Sequence, residues 1–224
     1  MTQFSNNQSV GDNKNMIQQP KVTKNFRNFI IGIDEAGRGP LAGPVVVGGI
    51  SISSKINLSA GGQKSKFWND FRIIKDSKKL SAKKREEWFL RLTTHPEIKW
   101  AFTEVSPGVI DRINIARATN LGVGRVYRKL AGGVITPAVL DGSLYLSRKI
   151  PHKTIIKGDE KNPAIAAASV IAKVTRDRLM RNLHKKYPQY RFDLHKGYGT
   201  KLHKYLLRKF GRSEVHRKSF KIRN

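Results

Sequence analysis

The stretch FIIGIDEAGRGPLAGPVVVGGI, residues 29–50, decides the fold of this chain. It contains two short apolar runs, residues 29–33 and 45–50, of the kind that form buried strands. Five glycine or proline residues lie between the runs and predict a constrained loop rather than a free linker. We therefore expect two joined strands in one sheet, with ordered structure beginning at Phe29.

The sequence that follows mixes helices with further short strands. Ser81, Ser106 and Thr200 stand where N-caps are expected, and Gly211 stands where a last helix should stop. Helices are predicted over residues 81–94, from 106 to about 130, over 163–186 and from 200 to 211; strands over 99–105, 138–140 and 153–157. This order predicts an α/β fold with a mixed sheet. Residues 55–70, which contain Ser, Gly, Lys and Asn, predict a surface loop.

The first 28 residues differ from the rest in composition. They are rich in Asn, Gln, Ser and Lys and show no hydrophobic period, so we expect a disordered basic arm before one domain spanning residues 29–224. The chain has no Cys, which excludes disulfide scaffolds, thiolate zinc sites and cysteine nucleophiles. No apolar run approaches the roughly 20 residues of a membrane span, and the N-terminus lacks the apolar core of a signal peptide. We expect a cytoplasmic protein that contacts no membrane.

The charge of the chain points to a polyanionic partner. It carries 44 Lys and Arg against 16 Asp and Glu, a formal net charge of +28. Nucleic acid is the first candidate and an acidic membrane surface the second. Residues 178–224 interleave basic and aromatic residues, which suits a surface that follows a nucleic-acid strand, although a solvated helix face with some core rings is the alternative. Four histidines of this region are interpreted as phosphate contacts or ordinary surface residues: His184, His195, His203 and His216.

Acidic residues at the ends of apolar runs are the informative ones in so basic a chain. Asp34 and Glu35 directly follow residues 29–33, and Asp141 directly follows residues 138–140. Open α/β sheets hold ligands at the carboxyl ends of their strands, and a buried carboxylate is paired or binds a metal. Carboxylates without Cys favour a hard cation such as Mg²⁺ or Mn²⁺. Two such ions about 4 Å apart can hydrolyse a phosphodiester by activating a water and stabilising the leaving oxygen.

Each of these acids also has an ordinary structural explanation. Asp34 and Asp141 could be turn residues, and Glu35 could be a surface acid. Asp177 has Lys173 four residues before it and Arg181 four after, so a helix-surface ion pair would explain it fully. Asp159 is a rival for the position of a fourth acid.

Six segments, in this order, resemble ribonuclease HII, the type 2 ribonuclease H family. They are GIDEAGRGPLAGPVV at 32–46, DSKKLS at 76–81, VLDG at 139–142, KGDEKNPAIAAASVIAKVTRD at 157–177, HKGYGT at 195–200 and HRKSF at 216–220. The resemblance implies a ribonuclease H-like fold, a five-stranded mixed sheet flanked by helices with a helical C-terminal part. It implies an endonuclease, expected to be monomeric, that hydrolyses the RNA strand of RNA–DNA hybrids. It also implies nicking at single ribonucleotides in duplex DNA, giving 5′-phosphate and 3′-hydroxyl ends.

The resemblance also assigns site residues. The four catalytic and metal-binding acids of the family fall on Asp34, Glu35, Asp141 and Asp177. The motif whose backbone approaches the 2′-hydroxyl of the ribonucleotide falls on Gly37, Arg38 and Gly39, and glycine permits that approach. The tyrosine that senses the RNA–DNA junction falls on Tyr198, and Lys78 and Lys79 resemble phosphate contacts.

Two other interpretations stay open from the sequence. A non-catalytic basic nucleic-acid-binding protein would share the charge and would bind with a steep salt dependence. A nuclease of the same fold could prefer long hybrids only. The sister family, ribonuclease HIII, fits less well because it lacks the arginine found at Arg38 and carries a larger N-terminal domain than 28 residues allow.

Overall fold

The computed structural model describes residues 29–53, 66–74 and 80–222. The predicted N-terminal arm, most of the 55–70 segment, Lys78 and Lys79 therefore lie outside the described residues. The strands are β1 Phe29–Ala36, β2 Val45–Ser53, β3 Lys99–Val105, β4 Ala138–Asp141 and β5 His152–Ile155. They form one five-stranded sheet in the order β3-β2-β1-β4-β5. The β1–β2 and β2–β3 pairs are antiparallel, and the β1–β4 and β4–β5 pairs are parallel, which gives the expected mixed sheet.

Helices cover both faces of this sheet. They are α1 Lys66–Ile73, α2 Ala82–Thr94, α3 Pro107–Ile113, α4 Ile115–Ala131, α5 Gly158–Lys161, α6 Pro163–Lys186, α7 Phe192–His195 and α8 Lys201–Phe210. The α6 side buries Ile50, Ile52 and Val170 in one apolar cluster, and the α4 side buries Ile33 and Val126 in another. The central strands are therefore covered by apolar side chains on both faces.

The alanine-rich sequence of α6 explains how closely this helix lies on the sheet. A Cβ atom built at Gly48 of β2 would lie 2.5 Å from the backbone nitrogen of Ala172 and 2.7 Å from the carbonyl oxygen of Ala168. Only glycine on the strand and small residues on the helix permit this separation. The close packing fixes α6 against β1 and β2, and so fixes every residue that α6 carries toward the site.

The sequence signals at the helix ends are mostly borne out. The Ser81 side chain accepts a hydrogen bond from the backbone N–H of Lys84, and Thr200 accepts one from His203. Ser106 is the N-cap residue of α3, but its side chain makes no capping hydrogen bond. Pro163 begins α6 at the expected residue, and Lys186 ends it.

The predicted surface loop at residues 55–70 is wrong at its C-terminal end, because residues 66–70 belong to α1. Aromatic burial accounts for the helix. Phe71 is fully buried, and the Phe67 ring lies 4.1 Å from the His95 ring. The Asp70 carboxylate also accepts a hydrogen bond from Arg91 at 2.9 Å. The predicted strand at 153–157 begins one residue earlier, at His152, and ends at Ile155.

The C-terminal part is helical, as expected, but three of its four histidines are buried, and His184 is partly exposed. His195, His203 and His216 are 8%, 0% and 2% exposed. They pack with Tyr190 and Phe192, which are also buried, so these two rings are core rather than strand-contacting residues. Periodicity cannot reveal such a cluster, because it brings together residues from three separate segments. Across the described ranges, no helix is both long and apolar enough to cross a membrane.

Candidate active site

Three carboxylates meet at the ends of two neighbouring strands. Asp34 and Glu35 lie at the carboxyl end of β1, and Asp141 is the last residue of β4. The parallel register pairs Ile33 with Leu140, so the next residue of each strand is acidic. One carboxylate oxygen from each acid lies within 4.8 Å of the others. The structure thus brings together the three acids that the sequence placed at strand ends.

Asp34 is the most buried acid of this cluster, at 3% exposure. Its Oδ1 accepts a hydrogen bond from the backbone N–H of Glu35 at 2.7 Å, and the Ser169 side chain on α6 also bonds it. Burial raises the pKa of Asp34 well above its ordinary value, and the charges of Glu35 and Asp141 raise it further. The hydrogen bonds oppose this rise without cancelling it. A positive charge at this position would relieve the unfavourable energy of the buried carboxylate.

Glu35 and Asp141 have different surroundings. Burial raises the pKa of Glu35, and the guanidinium of Arg38, whose Nη1 lies 3.5 Å from Glu35 Oε1, opposes the rise. Within the described part of the chain, Glu35 Oε2 is buried and has no hydrogen-bond partner. Asp141 Oδ1 accepts a hydrogen bond from the backbone N–H of Gly158 at 2.6 Å, which fixes one oxygen of that carboxylate.

The chemistry of this cluster fits a divalent metal ion. Its donors are all carboxylate oxygens, which Mg²⁺ and Mn²⁺ prefer. A bound cation would offset the mutual repulsion of these acids and would give the buried Glu35 Oε2 a partner. Among the described residues, this is the one group of three or more His, Asp or Glu side chains close enough to share a metal.

The two candidates for a fourth acid lie outside that group. Asp177, on α6, is half-buried and accepts a hydrogen bond from Lys173 Nζ at 2.7 Å. Asp159 is 1% exposed and lies on α5, next to the glycine that bonds Asp141. The structure therefore shows the ion pair between Lys173 and Asp177 that the sequence suggested.

The glycine loop, residues 37–44, joins the acidic cluster to the C-terminal part. Gly37, Arg38 and Gly39 begin it directly after β1. Arg38 Nη1 donates to Ser143 Oγ at 3.0 Å as well as lying beside Glu35, so this side chain spans from one strand end to the other. Tyr198 is 42% exposed, and the Arg176 guanidinium lies 5.6 Å from the centre of its ring.

Several residues around the site were missed from the sequence. Ser143 and Ser169 contact Arg38 and Asp34, and two buried arginines, Arg176 and Arg217, contact the glycine loop. Both arginines lie inside the quoted segments, at TRD and HRKSF. Nothing in their local sequence separates them from the many surface arginines, because their burial depends on contacts across the whole chain.

The mixed five-stranded sheet, with acids at the ends of β1 and β4, defines a ribonuclease H-like enzyme. Residues 31–223 match the family model of ribonuclease HII. The chain belongs to the ribonuclease HII family.

Individual relatives agree with this assignment. The chain is 45% identical over 193 residues to ribonuclease HII of Chlamydia caviae, covering 86% of this chain and 84% of that protein. It is similar to the ribonuclease HII in a structure of the PCNA:RNase HII complex from Archaeoglobus fulgidus, with 25% identity, a TM-score of 0.68, and coverage of 88% of this chain and 96% of that one. The fold is also that of Bst-RNase HIII in complex with Mn²⁺, at 18% identity and a TM-score of 0.65, covering 86% of this chain and 67% of that one.

Proposed function

We propose that this ribonuclease H nicks duplex DNA at single embedded ribonucleotides, as well as hydrolysing the RNA strand of RNA–DNA hybrids. The products would carry 5′-phosphate and 3′-hydroxyl ends. The observation that carries the proposal is the juxtaposition of the acidic cluster with the glycine loop, since Asp34 and Glu35 at the end of β1 lie within five residues of Arg38 in the loop. The acids that would carry out the hydrolysis and the loop that would recognise the ribose are thereby held at a fixed distance from each other.

The carboxylates of Asp34, Glu35 and Asp141 would hold divalent metal, Mn²⁺ or Mg²⁺, and Asp177 would be the fourth catalytic acid. When bound, a pair of metal ions supplies Lewis-acid activation of water and stabilisation of the leaving oxygen. Asp34 is held by the backbone of Glu35 and by Ser169, so its carboxylate is oriented before substrate arrives. Asp141 is oriented likewise by the N–H of Gly158.

Arg38 is placed to exchange partners when substrate binds. Its side chain is 38% exposed and pairs with Glu35 at the long distance of 3.5 Å, so the pairing is weak. A phosphate oxygen is a stronger partner for a guanidinium. We assign Arg38 to a phosphate next to the ribonucleotide, which would leave Glu35 to the metal.

The glycine loop provides the surface for the 2′-hydroxyl. A Cβ atom at Gly39 would meet no described atom within 4 Å, so the backbone here is open to an approaching sugar. The 2′-hydroxyl is the group that separates RNA from DNA. Tyr198, with its partly exposed ring, would pack on the sugar on the DNA side of the junction. Lys78 and Lys79, which lie outside the described residues, keep their assignment as phosphate contacts.

The excess charge of +28 would hold the substrate duplex around this small acidic site. Neutralisation of several phosphates releases counterions, so binding should weaken steeply as salt is raised. We also propose that the enzyme works as a monomer, because the proposed active-site residues all come from one chain.

The test is a nicking assay on a duplex with one ribonucleotide, with Mg²⁺ or Mn²⁺, beside the same duplex made entirely of DNA. The proposal expects a nick at the ribonucleotide with either metal, no nick in the all-DNA duplex, and no activity with chelator. Folded protein that binds the duplex but nicks under neither metal would support a non-catalytic binding protein instead.

A second substrate, an RNA–DNA hybrid of the same length, distinguishes the proposed function from a nuclease that prefers long hybrids only. Cleavage of the hybrid without nicking at a single ribonucleotide would indicate a nuclease that prefers long hybrids. Comparable rates on both substrates would agree with the proposed function.

A further inference from the structure

Two arginines lie in the interior directly beneath the glycine loop. Arg176, on α6, and Arg217, in the C-terminal segment, are both 0% exposed and are among the largest fully buried side chains of the described residues. Each guanidinium donates three hydrogen bonds to backbone carbonyls, and five of the six accepting carbonyls belong to residues 37–44.

Arg217 binds the two residues of the loop that would face the ribonucleotide. Its Nη2 donates to the carbonyl of Gly37 at 2.6 Å, and its Nη1 donates to the carbonyl of Arg38 at 2.8 Å. Its Nε donates to Gly43 at 3.0 Å, and its backbone N–H donates to Leu41 at 2.8 Å. One residue therefore holds both ends of the loop.

This arrangement sets the direction of the loop's donors. A trans peptide points its C=O and the following N–H in opposite directions. Because the carbonyls of Gly37 and Arg38 point at Arg217, the N–H groups of Arg38 and Gly39 point away from it. Arg217 thus turns backbone donors toward the side of the loop on which the ribose would lie.

Arg176 supports the same loop from α6. It donates to the carbonyls of Pro44 at 3.1 Å and Ala42 at 3.3 Å, and to Lys196 at 3.0 Å. A Cβ atom at Gly37, whose φ is +94°, would lie 1.9 Å from Arg176 Nε, so glycine is needed for contact as well as for conformation. The same guanidinium lies against the Tyr198 ring. Arg176 therefore links the loop to the segment that carries Tyr198.

Stability alone does not account for two buried charges here. Among the described residues, neither arginine forms an ion pair with a carboxylate within 4.0 Å. Burial and the neighbouring charge of Arg176 lower the pKa of Arg217 to about 9, which still leaves it charged at neutral pH. A buried charge without an ion-pair partner is unfavourable even when it is hydrogen-bonded, and apolar side chains of similar size often pack more stably.

We infer that Arg217 and Arg176 are positioning residues for recognition of the ribonucleotide: they fix the glycine loop so that its N–H donors meet the 2′-hydroxyl. The inference rests on the proposed function. It adds two residues, neither of which touches substrate, on which discrimination between ribose and deoxyribose depends.

The experiment compares Arg217→Lys with the wild type. Lys keeps the charge but cannot donate to three carbonyls in a fork. Dissociation constants are measured without metal for a duplex with one ribonucleotide and for the same duplex made of DNA, and kcat and KM are measured with metal. We expect the preference for the ribonucleotide duplex to fall about tenfold or more and kcat/KM to fall about 100-fold, the loss that a misplacement near 1 Å produces. Affinity for the all-DNA duplex should stay within about twofold of the wild type.

The matched control is Arg212→Lys. Arg212 also donates to three backbone carbonyls, those of Arg217, Lys218 and Phe220, and none belongs to the glycine loop. It should lower thermal stability without changing the ratio of the two dissociation constants. Arg176→Lys is a second test of the inference, and it should reduce the preference for ribose as Arg217→Lys does.

The outcomes separate the inference from the function on which it rests. A wild type that does not nick would overturn both. A wild type that nicks, together with unchanged ribose preference in folded Arg217→Lys or Arg176→Lys, would overturn the inference alone. If neither variant folds while Arg212→Lys does, the two arginines are structural, and the inference is equally wrong.

Discussion

Lys173 Nζ lies 2.7 Å from Asp177 Oδ1, one turn apart on α6. The pair is partly buried, with the Asp177 side chain 13% exposed and the Lys173 side chain 29% exposed. The lysine therefore occupies the position at which a cation could meet this carboxylate. The ion pair and a catalytic role for Asp177 are not exclusive, since a lysine can hold a carboxylate ready for a metal.

The effects of Asp177→Asn and Lys173→Met distinguish these roles. If Asp177 is the fourth catalytic acid, we expect Asp177→Asn to lower kcat by about 100-fold or more, because a charge next to the reacting phosphate is lost. Lys173→Met keeps that charge and should change kcat by less than about tenfold. Equal, small effects of both substitutions on kcat, with matching losses of stability, would leave Asp177 as an ion-pair partner only.

Asp34→Asn should have two effects: it should stop catalysis, and it should stabilise the folded protein. We expect the nicking rate to fall by at least about 1,000-fold, while affinity for the duplex stays close to that of the wild type. Because burial, Glu35 and Asp141 raise the pKa of Asp34 in the folded state, its ionisation destabilises the fold at neutral pH. Removing the charge should raise the midpoint of thermal unfolding in metal-free buffer by about 2–4 °C.

Thermal unfolding of Asp34→Asn and the wild type at different pH values and metal concentrations tests the cause of that stabilisation. The difference between Asp34→Asn and wild type should shrink as pH falls through the raised pKa, because the wild-type carboxyl is then neutral. It should also shrink or reverse with millimolar Mn²⁺, which binds and stabilises the wild type. Glu97→Gln, an exposed acid far from the cluster in sequence, is the control and should show neither effect.

Tyr198→Ala should harm cleavage at the RNA–DNA junction more than cleavage within a long hybrid. Its ring is 42% exposed and lies 5.6 Å from the Arg176 guanidinium, and loss of a stacking surface costs about 1–3 kcal/mol, or roughly 10- to 100-fold in rate. The comparison is kcat/KM on a single-ribonucleotide duplex against an all-RNA hybrid. Tyr205→Ala removes another exposed tyrosine, 53% exposed on α8, and should leave the ratio unchanged. An equal loss on both substrates would remove the junction role.

The buried histidines should make the fold sensitive to acid. The Nε2 atoms of His203 and His216 are 3.2 Å apart, and the outer nitrogens bond Tyr198 and Ser213. Since Ser213 N–H donates to His216 and the Tyr198 carbonyl only accepts, the shared bond runs from His216 to His203 and requires both rings to be neutral. Burial above all, together with the charges of neighbouring histidines and, for His216, of Arg212, lowers the pKa of each to about 4.

The sign of the effect follows from these values. A histidine whose pKa is lowered on folding contributes its full stability above the ordinary value of 6.5, and loses it as pH falls toward 4. We expect the free energy of unfolding to drop by a few kcal/mol between about pH 6.5 and 4. Urea unfolding of the wild type and of His203→Gln across this range is the measurement. A drop of the same size in both proteins would assign the acid sensitivity to other groups.

The sequence predicted most of what local patterns control. The bounds of α6, the cap at Thr200 and the position of Asp141 at the end of β4 follow from apolar runs and capping residues, and all are present. The apolar run at 29–33 gave β1 but not its end, because the strand continues through Asp34 and Glu35 to Ala36. The predicted loop was wrong at residues 66–70, which belong to α1. Aromatic contacts hold this helix, because Phe67 packs on Trp88 of α2 and on His95, the C-cap residue of α2.

The burial of certain polar residues could not be predicted from the sequence either. His203, His216, Arg176 and Arg217 carry no local signal, because their partners lie on other segments. The proximity of Asp34 to Asp141 could be predicted, since parallel strands bring their carboxyl ends to one edge. The ion pair of Asp177 could also be predicted, because both partners lie on one helix.

The hydrogen bond from Arg217 to Gly37 joins residues 180 positions apart. During synthesis on the ribosome, β1 with Asp34 and Glu35 is made early, but the glycine loop gains this anchor only after residue 217 has left the exit tunnel. A nascent chain that has not yet exposed residue 217 therefore carries these carboxylates beside a glycine loop that Arg217 does not hold. Under the proposed function, ribose could be distinguished from deoxyribose only after residue 217 has reached the loop.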